Sequence, residues 1–363
     1  MAGRDGGSGD GAGRDGAGEM TAGEMTAGEM GTAGPRTALV MGAGGTVGIA
    51  YHAGVAKALA DAGLDPASAD VVVGTSAGAI VGSILRTGHD LDELWRLAHD
   101  DQNPFMEDQP LFRPDVVFSQ GWRTPVGLAR RMVGSGYVMH RSIVRWPVVT
   151  PHPALQRFYR GGLGSVTEQR DEFARWTGEQ WPAEPLWLCS FDIVTGRRVV
   201  LGQGDRVRPA LPDAMRAASA VPILYPPVRV GRRLLVDGVV SSSTNLDVAV
   251  EAGAELIVVA APMAYDHADK PPVHLRAGKE LFDRKLACEL RRAERAGVRV
   301  LVIRPNAGEC RVHGLNLMRS GGNGRAAELS YERTRAALAT PDGRSFARAW
   351  RAAHRAAERR RAA

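Results

Sequence analysis

The chain predicts an α/β fold of three layers, with helices on both faces of a mostly parallel central sheet. Three observations carry this expectation. From Thr37 onward, short β-branched runs alternate with helix-forming stretches. Two of the strand-to-helix junctions are glycine turns, at 42–48 and 74–78. Of the 363 residues, 44 % are hydrophobic and 24 % charged, which is enough apolar surface to bury one large core.

Residues 1–35 stand apart from this pattern. They are glycine-rich and repeat Gly-Arg-Asp-Gly at 3 and 13 and Ala-Gly-Glu-Met at 17, 22 and 27, a composition that cannot bury enough surface to offset its ordering entropy. A disordered tail is expected there. Residues 36–340 then read as one domain. Ala38 to Met41 forms a strand, followed by a glycine turn and a helix through Ala62; Val71 to Val73 forms the next, followed by the turn at Ser76 and a helix to about Arg86. A further helix starts at Asp90, where Asp90 and Glu93 have the spacing of a capping box. Residues 101–186 break the alternation, being dense in proline, glycine and aromatic residues such as Phe105, Trp122, Trp146 and Trp181. Such an insertion reads either as a lid or binding loop or as a partly helical segment that only packs. Strands resume at Leu186–Phe191, Arg198–Leu201, Leu234–Val236, Leu256–Ala260 and Val298–Ile303, with helices over 210–219, 245–252, 275–296 and 324–339. Residues 341–363 form a basic amphipathic helix: Arg344, Arg348, Arg351, Arg355 and Arg359 recur at helical spacing, opposite Phe346, Trp350, Ala353 and Ala357.

Composition excludes several classes of function. The formal charge of +6 is almost entirely arginine with little lysine, a pattern that codon bias produces, and no nucleic-acid-binding motif accompanies it, so no nucleic-acid partner is expected. Apolar runs such as 256–262 are too short to cross a bilayer, and the first 34 residues lack the apolar core of a secretory signal; the expected location is cytoplasmic. Cys189, Cys288 and Cys310 are scattered, without the spacing of a zinc site or disulfide framework. No metal and no cofactor is expected. Oligomeric state has no signature in the sequence.

Three blocks carry chemistry. Gly74-Thr75-Ser76-Ala77-Gly78 directly follows a β-branched run and opens a helix, which lifts the Ser76 hydroxyl clear of the sheet at a helix N-terminus. Gly42-Ala43-Gly44-Gly45-Thr46-Val47-Gly48 is a glycine-rich turn whose free amides suit a phosphate or an oxyanion. A dinucleotide fingerprint would need glycine where Val47 stands and an acidic residue after the second strand, so that reading is set aside. The third block, Arg233 to Val239, delivers Asp237 at the end of a strand into the turn at Gly238, preceded by Met215 to Pro222 and followed by Ser243-Thr244-Asn245.

In order and setting, these blocks resemble the patatin-like phospholipase family, whose fold is related to that of the α/β-hydrolases. The resemblance spans about residues 37–262 and implies a Ser-Asp dyad acting on lipid carboxylic esters, of the phospholipase A, lysophospholipase or acylglycerol lipase type. Ser76 would be the nucleophile and Asp237 its general base, with no histidine between them. The amides of Gly44, Gly45 and Thr46 would form the oxyanion hole, and Gly74, Gly78 and Gly238 would support the two turns. His52, His89 and His99 fall on helices or their edges, where packing or surface roles are expected. The chain departs from the family pattern at three positions. Ala43 replaces a glycine and needs only a negative φ; Val47 replaces a basic residue; Val239 stands where glycine or alanine is usual. The last two leave room for an alternative, a lipid-binding or regulatory protein of weak catalytic power. The C-terminal helix suits peripheral contact with an anionic membrane surface, or docking of Phe346 and Trp350 onto the domain.

Overall fold

The computed structural model describes residues 36–99, 125–143, 167–204, 208–319 and 321–362. The tail expected over 1–35, and 101–124 and 144–166 of the insertion, lie outside the described residues. Strand β1 (Thr37–Met41) runs into helix α1 (Gly45–Asp61), and β2 (Val71–Gly74) into α2 (Ala77–Arg86). After α3 (Leu91–His99) come α4 (Pro125–Ile143) and α5 (Thr167–Thr177), then β3 (Leu186–Asp192), β4 (Arg197–Leu201), α6 (Leu211–Ser219), β5 (Val228–Val230), β6 (Arg233–Asp237) and α7 (Leu246–Glu251). The chain continues through β7 (Leu256–Ala260), α8 (Val273–Ala277), α9 (Glu280–Arg295), β8 (Arg299–Ile303), α10 (Ala307–His313), α11 (Asn323–Ala339) and α12 (Pro341–Ala362).

The strands form one sheet in the order β5-β6-β3-β2-β1-β7-β8, with β4 also paired to β3. Pairs β1–β2, β1–β7, β2–β3 and β7–β8 are parallel, whereas β3–β4, β3–β6 and β5–β6 are antiparallel. Strand alternation sorts the side chains into two cores. Leu39, Met41, Val72, Leu186 and Leu188 pack with α1, α2 and α6 on one face; Ala38, Val40, Val71, Val73, Trp187 and Cys189 pack with α7 and α9 on the other. The α/β/α layering expected from the sequence follows directly from this alternation.

Register along β3 positions the site. Leu188 faces both Gly74 of β2 and Leu201 of β4, while Ser190 faces both Val199 of β4 and Asp237 of β6. Since β4 lies opposite β2 at Leu188 and opposite β6 at Ser190, β2 and β6 succeed one another along the same edge of β3. The last residue of β6 therefore arrives just beyond the last residue of β2, where the chain turns into Ser76.

The insertion contains two described helices, as its partly helical reading allows, and Val138 of α4 and Phe173 of α5 are buried in the core. Two local expectations need correction. The helix expected over 275–296 breaks at Gly278, because Lys279 turns inward and donates from Nζ to the Pro262 carbonyl at 2.6 Å. At α3 the carboxylate of Asp90 accepts from the Asp92 amide at 3.0 Å, but Glu93 pairs with His89 at 3.4 Å instead of closing a capping box. Among the described residues no helix is long and apolar enough to cross a membrane.

Candidate active site

Ser76 sits between β2 and α2 at φ 54°, ψ −119°, a region that costs a non-glycine residue on the order of 1–3 kcal/mol. The strain has a steric frame. A Cβ on Gly78 would overlap the Met41 carbonyl, and one on Gly74 would overlap the backbone of Ala79, so both motif glycines are dictated by close approach of β1, β2 and α2. Serine at a helix N-cap ordinarily accepts a bond from the first turn. Ser76 makes no such bond, so its hydroxyl is not spent on capping α2.

Asp237 is fully buried at the end of β6. Its Oδ1 accepts from the Val239 amide at 2.8 Å, and its Oδ2 has no hydrogen-bond partner. Burial pushes the carboxyl up to about 7; the Val239 amide and, more weakly, the nearby Ser76 hydroxyl act in the opposite sense. The Ser76 hydroxyl is thus a hydrogen-bonding neighbour of the Asp237 carboxyl, as a nucleophile and its base must be. Gly238 is required for the close approach of this turn to β3, since a Cβ there would overlap the Cys189 carbonyl.

The glycine turn lies beside the serine turn. Gly78 donates its amide to the Gly42 carbonyl at 3.2 Å, and Thr75 donates to the Met41 carbonyl at 3.0 Å. Gly42 and Ala43 are in turn held by the carbonyls of Ala260 at 2.9 Å and Ser243 at 2.7 Å. Ala43 keeps a negative φ, as its side chain requires, whereas Gly45 adopts φ 62°. The amides of Gly44, Gly45 and Thr46 donate to no described residue, while Val47 and Gly48 are satisfied by Leu317 and Gly44.

Two features of the site have no counterpart in the sequence reading. The amide of Ala77 also donates to no described residue, and the nucleophile-elbow motif itself was the signal for it, since the residue after the serine commonly supplies a donor. The segment 314–319 straps the glycine turn from outside: Thr46 Oγ1 donates to the carbonyls of Leu317 at 3.1 Å and Arg319 at 2.6 Å. Nothing in the sequence of that loop announces this.

The histidines take supporting places. His52 is buried, and desolvation pushes it down to about 4, so the ring is neutral and donates from Nε2 to the Gly42 carbonyl at 2.7 Å. His89 and His99 bond to main-chain carbonyls of Trp176 and Trp95. Cys189 and Cys310 are buried free thiols and Cys288 an exposed one, and burial pushes Cys189 up to about 12. Among the described residues, no group of three or more His, Cys, Asp or Glu side chains is placed to hold a metal ion.

Comparison with known proteins places the chain in a family. The family model described as patatin-like phospholipase matches residues 39–250, more than half of the chain. Among solved structures, the chain is similar to VipD from Legionella pneumophila, at 15 % identity and a TM-score of 0.40 over 84 % of this chain and 67 % of that one. It is also similar to the type III effector protein ExoU, at 17 % identity and a TM-score of 0.35 over 84 % of this chain and 52 % of that one, so it spans about half of ExoU. The matched span contains both turns, Ser76 and Asp237, and the chain belongs to the patatin-like phospholipase family.

Proposed function

We propose that this chain hydrolyses carboxylic esters of lipids through an acyl-serine intermediate, using Ser76 and Asp237 as a dyad. The observation that carries the reading is the juxtaposition of a strained serine, whose hydroxyl does not cap its helix, with a buried carboxylate that has it as a hydrogen-bonding neighbour and whose Oδ2 has no partner of normal length. Asp237 Oδ2 takes the hydroxyl proton as Ser76 Oγ attacks the ester carbonyl, then returns it to the departing alcohol. The negative oxygen of the tetrahedral intermediate is held by the amides of Gly44, Gly45 and Thr46, joined by that of Ala77. A water deprotonated by Asp237 then cleaves the acyl-serine, and the dyad is restored. The substrate class is a phospholipid, lysophospholipid or acylglycerol ester, and no cofactor enters the cycle.

A competing reading, a lipid-binding protein with little turnover on the same fold, is favoured by Val47, which is buried and brings no charge to the glycine turn. Hydrolysis of a short-chain p-nitrophenyl ester separates the two. The dyad reading expects Ser76→Ala and Asp237→Asn each to lose activity by about 10³-fold or more. Equal rates for the wild type and Ser76→Ala would leave the binding reading standing. For the membrane, the proposed contact is electrostatic, through the exposed Arg348, Arg355 and Arg359 of α12, because the apolar face of that helix is spent on the domain core.

A further inference from the structure

One buried polar side chain beside the site has no part in the chemistry above. Asn245 is fully buried at φ 51°, a left-handed conformation that asparagine tolerates better than other non-glycine residues. Its Nδ2 donates to Thr75 Oγ1 at 3.0 Å, to the Ser242 carbonyl at 2.8 Å and, more weakly, to the Gly238 carbonyl at 3.4 Å. Its Oδ1 accepts from Arg198 at 3.2 Å, and that guanidinium is fixed by Asp247 at 2.6 Å. Three oxygens on one side and a cation on the other leave the carboxamide a single orientation. Aspartate would set a carboxylate oxygen against two carbonyls, and glycine would keep the backbone but delete the links.

Thr75 immediately precedes Ser76, and Gly238 immediately follows Asp237. The two residues lie 163 positions apart in the chain, and no other side-chain bond among the described residues joins their flanks. We infer that Asn245 is a positioning residue for the Ser76–Asp237 pair: one carboxamide ties the backbone before the serine to the backbone after the aspartate and sets the distance across which the proton moves. This rests on the dyad reading. The carboxamide is thus a side-chain tie across the pair that resists its widening. Arg198 and Asp247 act one step further out, holding the carboxamide from behind.

The test uses the full chain and four variants: Asn245→Gly, Thr75→Val, their combination, and Ser76→Ala. Asn245→Gly is chosen because glycine keeps the left-handed backbone. The readouts are kcat and KM on a short-chain p-nitrophenyl ester, the rate of inactivation by a fluorophosphonate, and Tm. We expect Asn245→Gly to lower kcat and the inactivation rate together by about tenfold to a hundredfold, with KM within about twofold. Thr75→Val should lower both less, and the double variant should be no slower than Asn245→Gly alone, since one bond cannot be lost twice. A fall in Tm with kcat and inactivation rate unchanged would reduce Asn245 to a fold residue and overturn the inference, as would a change confined to KM. If Asn245→Gly fails to fold, Thr75→Val decides by the same split. Activity of Ser76→Ala equal to that of the wild type would instead overturn the dyad reading itself.

Discussion

Ser76 and Asp237 hang from the same turn of chain. The Ser76 amide donates to the Ala218 carbonyl at 3.1 Å, and the Asp237 amide donates to the Ala220 carbonyl at 2.9 Å. Both acceptors belong to the end of α6, where a helix leaves carbonyls without partners of their own. Ser219, between them, closes its hydroxyl back on the Met215 carbonyl at 2.7 Å, and four residues later Ile223 is held at φ 74°, a strained value for a β-branched residue. The spacing of the two backbones is thus fixed by a helix end, and the Met215–Pro222 block singled out in the sequence earns its place as a strut.

The pH dependence of hydrolysis follows from the burial of Asp237. A base must be ionised to accept a proton, and this carboxyl is pushed up to about 7. The kcat/KM profile should therefore rise tenfold per pH unit below about 7 and level above it. Neither buried His52 nor buried His313 contributes to this limb, since they are pushed down to about 4 and about 3. A single inflection between pH 6 and 8 that is insensitive to His52→Gln is the expected result; an inflection near pH 4 would place the base elsewhere.

The same shift makes Asp237 a burden on stability, with a definite sign. Its folded pKa lies above the unfolded value, so the protonated form favours folding below about pH 4 and that contribution is lost as pH rises toward 7. Holding the carboxyl up to about 7 corresponds to a penalty on the order of 4 kcal/mol above pH 7. Asp237→Asn keeps the acceptor for the Val239 amide and never ionises. Urea unfolding should show the variant gaining on the wild type between pH 4 and 7 and holding a constant advantage above that; a difference independent of pH would contradict the burial argument.

Steric demand at the serine turn gives a separate prediction. In Gly78→Ala, the new methyl meets the Met41 carbonyl, which also receives the Thr75 amide, so neither partner can yield without shifting β1. A loss of about 1–3 kcal/mol is expected from overpacking alone. Gly136→Ala in α4 is the matched control: a Cβ there meets nothing and its φ is ordinary, so the helix should gain about 0.5–1 kcal/mol. Chemical denaturation of both variants should move the midpoint in opposite directions.

What the sequence made legible is what short-range chemistry encodes. β-Branched runs ending in glycine turns marked β1, β2 and the approach of β6, and the residue types at 76 and 237 followed from their position at strand ends. The helices Pro125–Ile143 and Thr167–Thr177 escaped because the first scatters apolar residues on more than one face among arginines and glycines, Met132 and Val133 being exposed, and the second is mostly charged, so that no clean period stood out until Phe173 and Val138 found a core to bury against. Strand β5 is three residues long with Arg229 exposed at its centre, below the length at which alternation can be read. Asn245 was legible only as a residue near a turn. Its bonds reach Thr75 and Arg198, 170 and 47 positions away, and nothing local records them.

Helix α12 offers two faces with separable roles. Phe346 and Trp350 are 4 % and 2 % exposed and belong to the main core, so the docking arrangement accounts for the apolar stripe. Trp350→Ala should cost about 3–5 kcal/mol and lower Tm with no specific effect on lipid binding. The exposed Arg348, Arg355 and Arg359 face outward, and each arginine near an anionic bilayer is worth about 1 kcal/mol. Reversing all three to glutamate should leave stability within about 0.5 kcal/mol per site, yet abolish sedimentation with phosphatidylserine vesicles at low salt. Binding by the wild type should itself weaken as salt is raised, because the contact is one of surface charge. Sedimentation equal for wild type and triple variant, or equal on phosphatidylcholine alone, would confine α12 to its packing role.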